Sequence, residues 1–284
     1  MNVADAMTPR EDVVTADLPG TRSDVLEYIQ EQSFSSVPVV KPTDDGLEYR
    51  GLISRETLID QPDEDQLVML MDEAVPTTTA GTALEDVART MVEDGARRVP
   101  VVDGEFEGII TVTDVIHAIA AGDQETEGTV DTYASENVNT TYEGAPLPVA
   151  ERELSYANVP YTVALDDDGR MSGVLTEVDV LEVARIVEGE EETGDNFGDQ
   201  DDEWSWEGIK AVGSRYLPTR DIELPAGPVR EFMSDDVVTV AADTTVQEAA
   251  QRMISNDIEQ IPLVTGEELV GIVCDVDLLE ALYE

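Results

Sequence analysis

The run Val99-Pro100-Val101-Val102, followed by Gly108-Ile109-Ile110-Thr111-Val112-Thr113-Asp114, is the stretch on which the reading of this chain turns. It has an apolar run carrying a proline, then a glycine, two apolar residues, a small polar residue and an Asp-led helix. The phrase recurs as Val37-Pro38-Val39-Val40 with Gly51-Leu52-Ile53-Ser54, and as Val159-Pro160-Tyr161-Thr162 with Gly173-Val174-Leu175-Thr176-Glu177-Val178-Asp179. A fourth copy is Ile261-Pro262-Leu263-Val264 with Gly271-Ile272-Val273-Cys274-Asp275-Val276-Asp277. Self-similarity at such a period marks a repeat architecture.

Working outward within one copy, Val237-Val238-Thr239-Val240 reads as a short β-branched strand. Val246, Ala249, Ala250, Met253 and Ile254 recur at helical spacing behind the capping candidates Asp243, Thr244 and Thr245. The Pro-containing run is expected to be an edge or entry strand, because proline cannot donate to a ladder. A further strand over 269–273 and a closing helix over 276–282 complete a β-α-β-β-α unit. Thr15, Thr77 and Thr239 each lie 23 residues before the proline of their own copy. In the third copy Asn137 falls at that place, with Thr140 and Thr141 nearby and Gly144, Pro146 and Pro148 interrupting the helix region, so its first half is expected to have diverged.

The expected organisation is 1–62, 63–125, 126–188 and 228–284 for the units, with an acidic insertion over 189–227. Units of about 50 to 60 residues bury little core alone and should pair. The insertion holds Glu190-Glu191-Glu192 and Asp199-Gln200-Asp201-Asp202-Glu203, too like-charged to order itself, and then Trp204 and Trp206, which pin it to the body or anchor a partner.

The chain has 284 residues, 41% of them hydrophobic, enough for ordinary globular cores. Sixty-four acidic against 16 basic residues give a formal net charge of -48. Such self-repulsion is relieved when molar salt shrinks the Debye length to about 3 Å, which points to a salt-adapted cytoplasm. No apolar run is long enough to span a bilayer, and the N-terminus does not read as a secretory signal. Cys274, the single cysteine, excludes intrachain disulfides and cysteine metal sites. Nucleic acid is not an expected partner, because the clustered Lys and Arg that neutralise phosphates are missing.

These repeats resemble cystathionine β-synthase (CBS) domains, and four in one chain resembles the archaeal relatives of the AMP-activated protein kinase gamma subunit. The resemblance implies an α+β fold in which tandem motifs pair through their sheets into two Bateman modules. It also implies adenine-nucleotide clefts read by Gly-hydrophobic-x-Thr/Ser-x-x-Asp, with the Asp on the ribose hydroxyls and an early Thr near the base. Carried over, the second motif supplies Thr77, Gly108, Thr111 and Asp114; the third Gly173, Thr176 and Asp179; the fourth Thr239, Gly271 and Asp277, with Cys274 at the hydroxyl position. The first supplies Thr15 and Ser54 but has Thr57 where the Asp should be. Arg97 and Arg98, ahead of Pro100, stand where relatives carry a phosphate-reaching basic pair, with Arg55 as an extra contact. Taking each proline as anchor, the other motifs have Ser35 and Ser36, Ala157 and Asn158, and Glu259 and Gln260 there.

Chemistry supports this reading. A carboxylate at a helix start is held by backbone N–H groups and can still accept from vicinal ribose hydroxyls, while the helix N-terminus favours phosphate. The competing reading is that Asp114, Asp179 and Asp277 are only caps. His117 has no companion for a metal site, Asp166-Asp167-Asp168-Gly169 lacks the distal ligands of a calcium loop, and no catalytic motif is present, so a non-enzyme is expected. The function expected is a sensor of AMP, ADP or ATP that modulates an unidentified partner protein. The alternatives are a ligand-independent scaffold and a sensor of another adenosyl ligand such as S-adenosylmethionine; homodimer formation stays open.

Overall fold

A computed structural model describes residues 1–32, 36–44, 46–54, 57–58, 61, 64–183, 185–188, 220–266 and 268–283. Arg55, Trp204, Trp206 and the acidic runs of the insertion lie outside the described residues. The chain divides into two compact units, Met1–Asn137 with Val238–Glu284, and Val138–Val237.

The first unit opens with a helical turn, α1 (Val3–Ala6), and strand β1 (Thr8–Pro9). Then come β2 (Ala16–Asp17), α2 (Arg22–Gln32) and the hairpin β3 (Ser36–Thr43) to β4 (Gly46–Ser54). The second copy has a turn α3 (Leu67–Leu70), helix α4 (Leu84–Glu93), the hairpin β5 (Arg98–Asp103) to β6 (Glu105–Thr111), and α5 (Val112–Ala121). A turn α6 (Val130–Tyr133) follows. The second unit holds β7 (Thr140–Tyr142), α7 (Leu147–Ala157), β8 (Tyr161–Leu165), β9 (Met171–Thr176) and α8 (Glu177–Val183), then the ladder β10 (Arg185–Glu188) to β11 (Arg220–Glu223). The chain re-enters the first unit for α9 (Val246–Asn256), β12 (Gln260–Thr265), β13 (Glu268–Cys274) and α10 (Asp275–Leu278), which tightens into a 3-10 turn over Leu279–Leu282. The fold is mixed α and β, built from the repeated β-α-β-β-α unit.

The proline strands are central rather than edge strands. β3 lies between the parallel β2 and the antiparallel β4, and the fourth copy has the same arrangement in reduced form, a single parallel bridge of Val240 to Leu263. Thr78 N donates to Pro100 O at 3.0 Å and Val240 N to Pro262 O at 3.1 Å. Each proline's carbonyl, and hence its missing donor, faces the short parallel strand. The ring sits beside the start of that strand, where the ladder is only beginning, so one absent N–H is tolerated there.

Sheet register also corrects the alignment of the third copy. Arg98 pairs with Thr111 and Pro100 with Ile109, whereas Tyr161 pairs with Thr176 and Val163 with Val174. Val163, not Pro160, is therefore the counterpart of Pro100, and Thr140, 23 residues before Val163, is the counterpart of Thr77. Val163 keeps its N–H and donates it to Asn139 O at 2.9 Å, the bond the prolines forgo. The first half of this copy has kept its strand; only its proline has moved.

Two kinds of packing organise the first unit. The first two copies meet through their sheets in a reciprocal exchange: Thr8 and Pro9 pair with Ile109 and Gly108 of the second copy, and Asp72 bridges to Leu52 of the first. Tyr49 stacks on Phe106 with centroids 6.1 Å apart. The second and fourth copies meet through helices. Leu84, Val87, Met91, Val115 and Ile119 share one buried core with Val246, Ala249, Met253 and Leu278. The second unit has its own core of Leu147, Ala150, Leu154, Ala164, Leu175, Val180 and Val229.

Candidate functional site

Thr78 bridges Val101 in parallel while Arg98 faces Thr111 across the antiparallel hairpin. The start of the parallel strand, the start of β5 and the end of β6 therefore share one edge of the sheet, which brings Thr77, Arg98 and Thr111 to the N-terminus of α5. The same registers place Thr140, Tyr161 and Thr176 together in the second unit, Thr239, Gln260 and Cys274 in the fourth copy, and Thr15, Ser36 and Ser54 in the first. Arg98 is the basic residue at that register position; its counterparts are Ser36, Tyr161 and Gln260.

At this edge the helices of the three copies that carry the Asp open with a reciprocal cap. Asp114 Oδ2 accepts from Thr111 N and Thr111 Oγ1, each at 2.8 Å, and Thr111 Oγ1 accepts from Asp114 N at 3.2 Å. Thr176 and Asp179 repeat this at 2.8, 2.7 and 3.3 Å. In the fourth copy Cys274 N donates to Asp277 Oδ2 at 2.7 Å and the Cys274 side chain faces the Asp277 N–H, so the box survives the loss of the hydroxyl with sulfur in its place. In the first copy two hydroxyls replace the box, Ser54 Oγ and Thr57 Oγ1 lying 3.0 Å apart. All the capping bonds found for Asp114 and Asp179 fall on one carboxylate oxygen, Oδ2, which leaves Oδ1 for a ligand among the described residues.

Capping by the carboxylate alone does not distinguish a site, because at the exposed start of α2 Thr21 N and Thr21 Oγ1 donate to Asp24 Oδ2 at 2.8 and 2.9 Å, although Asp24 N there returns its bond to Thr21 O rather than to the hydroxyl. Burial does. The backbone N–H of Thr21 holds the Asp24 carboxyl below its ordinary range. Asp114 accepts the same kind of bonds, yet burial pushes it above that range, and burial does the same to Asp277. A cap needs no such cost, and half-buried carboxylates held against desolvation mark candidate sites.

The glycines serve the same edge by close approach. A Cβ at Gly108 would lie 2.3 Å from Thr8 O, at Gly51 2.8 Å from Asp72 O, at Gly173 2.8 Å from Ser234 O and at Gly271 3.0 Å from Ser135 O. Each glycine thus admits the backbone of a lead-in segment. These lead-ins were not among the sequence expectations, although a signal exists: Val3, Leu67, Val130 and Val229 are all fully buried and each stands four residues before Met7, Met71, Ala134 or Met233.

Arg97 is placed differently from Arg98. Its Nη1 and Nη2 donate to Asp275 Oδ1 and Oδ2 at 3.1 and 2.7 Å, and Nη2 lies 3.2 Å from Glu259 Oε1. The neighbouring Cys274 thiol is pushed up to about 12 by burial, so it stays protonated and unreactive. Among the described residues no cluster of His, Cys, Asp and Glu could hold a metal, and no helix is long and apolar enough to cross a membrane. His117 is an exposed residue of α5. A cleft of about 290 Å³ at the hairpin tips, lined by Glu48, Asp103 and Glu105, includes none of the expected site residues, and Arg10 already pairs Glu105 at 2.8 Å.

The architecture is shared with solved proteins. A conserved protein of Pyrococcus horikoshii superposes with a TM-score of 0.70 at 28% identity, covering 99% of this chain and all of that one. MJ1225 of Methanocaldococcus jannaschii, proposed as an archaeal homolog of g-AMPK, superposes with a TM-score of 0.68 at 18% identity over 99% of both chains, a likeness of fold. In sequence the chain is 27% identical to M. jannaschii MJ1404 over 284 residues, which is 99% of this chain and 62% of that protein. The MJ1225 sequence match is 28% identical over 188 residues and spans 66% of that protein. The chain thus spans about two thirds or less of the length of these two relatives. The CBS domain model matches residues 3–64, 66–121 and 229–284, together more than half of the chain, and on that match the protein belongs to the CBS domain family.

Proposed function

We propose that this chain is a non-catalytic regulatory protein that binds an adenine nucleotide, AMP, ADP or ATP, at the Thr111–Asp114 edge of its second motif, and so biases the activity of a partner protein. The reading counts 138–183 as a fourth motif, because it shares the register and the cap of the matched three. The observation that carries it is the half-buried carboxylate of Asp114, capped by Thr111 through Oδ2 at the sheet edge where Thr111 pairs with Arg98. Asp114 Oδ1 accepts the ribose hydroxyls, Thr77 lies toward the base, and Arg98 meets the phosphate. Motif 1, with Thr57 for the aspartate, lacks the ribose grip. Binding shifts the arrangement of the motifs only if the ligand prefers one arrangement over another.

A ligand at 100 times its Kd stabilises the native state by about 2.7 kcal/mol. AMP should therefore raise the unfolding temperature of the wild-type chain and leave that of Asp114→Ala unmoved; equal shifts in both would remove Asp114 from the site, and no shift in either would favour a scaffold. Because the carboxylate form accepts the ribose hydroxyls, AMP affinity should fall as pH drops through the raised Asp114 pKa, a trend an affinity series across acid pH checks.

The charge of -48 fits adaptation to a salt-rich cytoplasm. Unfolding midpoints should rise between dilute and about 2 M KCl, where screening confines repulsion to a few Å; identical midpoints would contradict this.

A further inference from the structure

The carboxylate that holds Arg97 comes from the motif facing it in the same unit. Val112 N donates to Arg97 O at 3.0 Å, and Asp275 N donates to Glu259 O at 2.7 Å. Arg97 and Glu259 are thus equivalent positions in the second and fourth motifs, as are Val112 and Asp275. The arginine of one motif meets both acidic positions of the other. Asp275 is 4% exposed and grips the guanidinium through both oxygens, the two-pronged geometry that arginine also offers to phosphate.

Resting on the nucleotide reading above, we propose that Asp275, with Glu259, occupies on Arg97 the place of a ligand phosphate, so that phosphate binding at the second motif and the bridge to the fourth motif exclude each other. Arg97 is one residue from Arg98 and bonds the first residue of α5, so its side chain starts from the edge where the phosphate would lie. The exchange is feasible from both sides. The Arg97 side chain is 37% exposed, so it can leave without crossing a packed core. Asp275 retains a donor when Arg97 goes, because Val276 N bonds its Oδ1 at 2.8 Å. The two contacts are therefore linked: whatever the bridge subtracts from phosphate affinity, phosphate subtracts from the bridge. The fourth motif thereby senses occupancy of the second without a ligand of its own.

The test compares AMP with adenosine, which lacks the phosphate, on the full-length chain in molar KCl. Asp275→Asn keeps the acceptor for Val276 N and removes the charge opposite Arg97. It should tighten AMP about tenfold, the equivalent of about 1.4 kcal/mol, and leave adenosine unchanged. Glu259→Gln, at an exposed rim, should tighten AMP in the same direction by less, and serves if Asp275→Asn folds poorly. Unchanged or weaker AMP binding in both variants, with adenosine binding intact, overturns the proposal alone. Failure of the wild type and both variants to bind either compound overturns it together with the nucleotide reading.

Discussion

Gly108→Ala lowers the stability of the chain by about 2 to 3 kcal/mol, the upper part of the roughly 1 to 3 kcal/mol that forcing an extra methyl into a packed site costs. The added Cβ would lie 2.3 Å from Thr8 O and 3.2 Å from Pro9 Cα, both backbone atoms that cannot rotate aside. Relief requires Thr8 and Pro9 to leave β6, which undoes half of the reciprocal exchange joining the first two motifs. Gly81, whose Cβ would meet nothing within 4 Å, is the control, and Gly81→Ala should stay within about 0.5 kcal/mol of wild type. Denaturation midpoints of the two variants decide the matter; equal midpoints would mean that the close approach at Gly108 carries no energetic weight.

Asp114→Asn separates stability from function. The folded-state pKa of Asp114 is raised by burial. Its contribution to stability is thus fully present below the unfolded pKa and lost as pH rises through the folded one, so at neutral pH the ionised carboxylate opposes folding. An amide that can still accept from Thr111 escapes that cost, and the variant should unfold at a higher denaturant concentration than wild type at pH 7. The same change removes the charged acceptor for two ribose hydroxyls. At about 1.5 kcal/mol for each charge-assisted bond, AMP affinity should fall on the order of 100-fold. Residues that weaken a protein while serving its ligand are the expected form of a stability–activity trade-off. A variant that is less stable and binds AMP normally would show Asp114 to be a cap and nothing more.

The repeat and the caps were legible in the sequence because each is local. Gly108 to Asp114 is a strand end, a cap and a helix start within seven residues, and in the two later copies, which also carry the Asp, that residue caps the backbone N–H in the same way. In the third motif the proline is not the strand's anchor. Proline marks the strand only where its missing donor faces the beginning of the parallel ladder; Val163 fills that position with a bonded N–H, and Pro160 lies three residues upstream. The lead-in turns are not legible in the sequence pattern because four-residue helices such as Val3–Ala6 are too short to show a period. The partner of Arg97 was beyond reach for a different reason. Arg97 and Asp275 are separated by 178 residues, and only the packing of α5 against α9 brings them together. The core residues of those helices could be read from their spacing, whereas the choice of which helices meet could not.

The central claim is that the second motif binds an adenine nucleotide through Asp114, and calorimetric titration of the wild-type chain and Asp114→Asn with AMP, in about 2 M KCl to screen the acidic surface, tests it most directly. Saturable heat from the wild type, lost or weakened on the order of 100-fold in the variant, is the predicted result. Saturable heat of equal affinity from both proteins, or none from either, would contradict it.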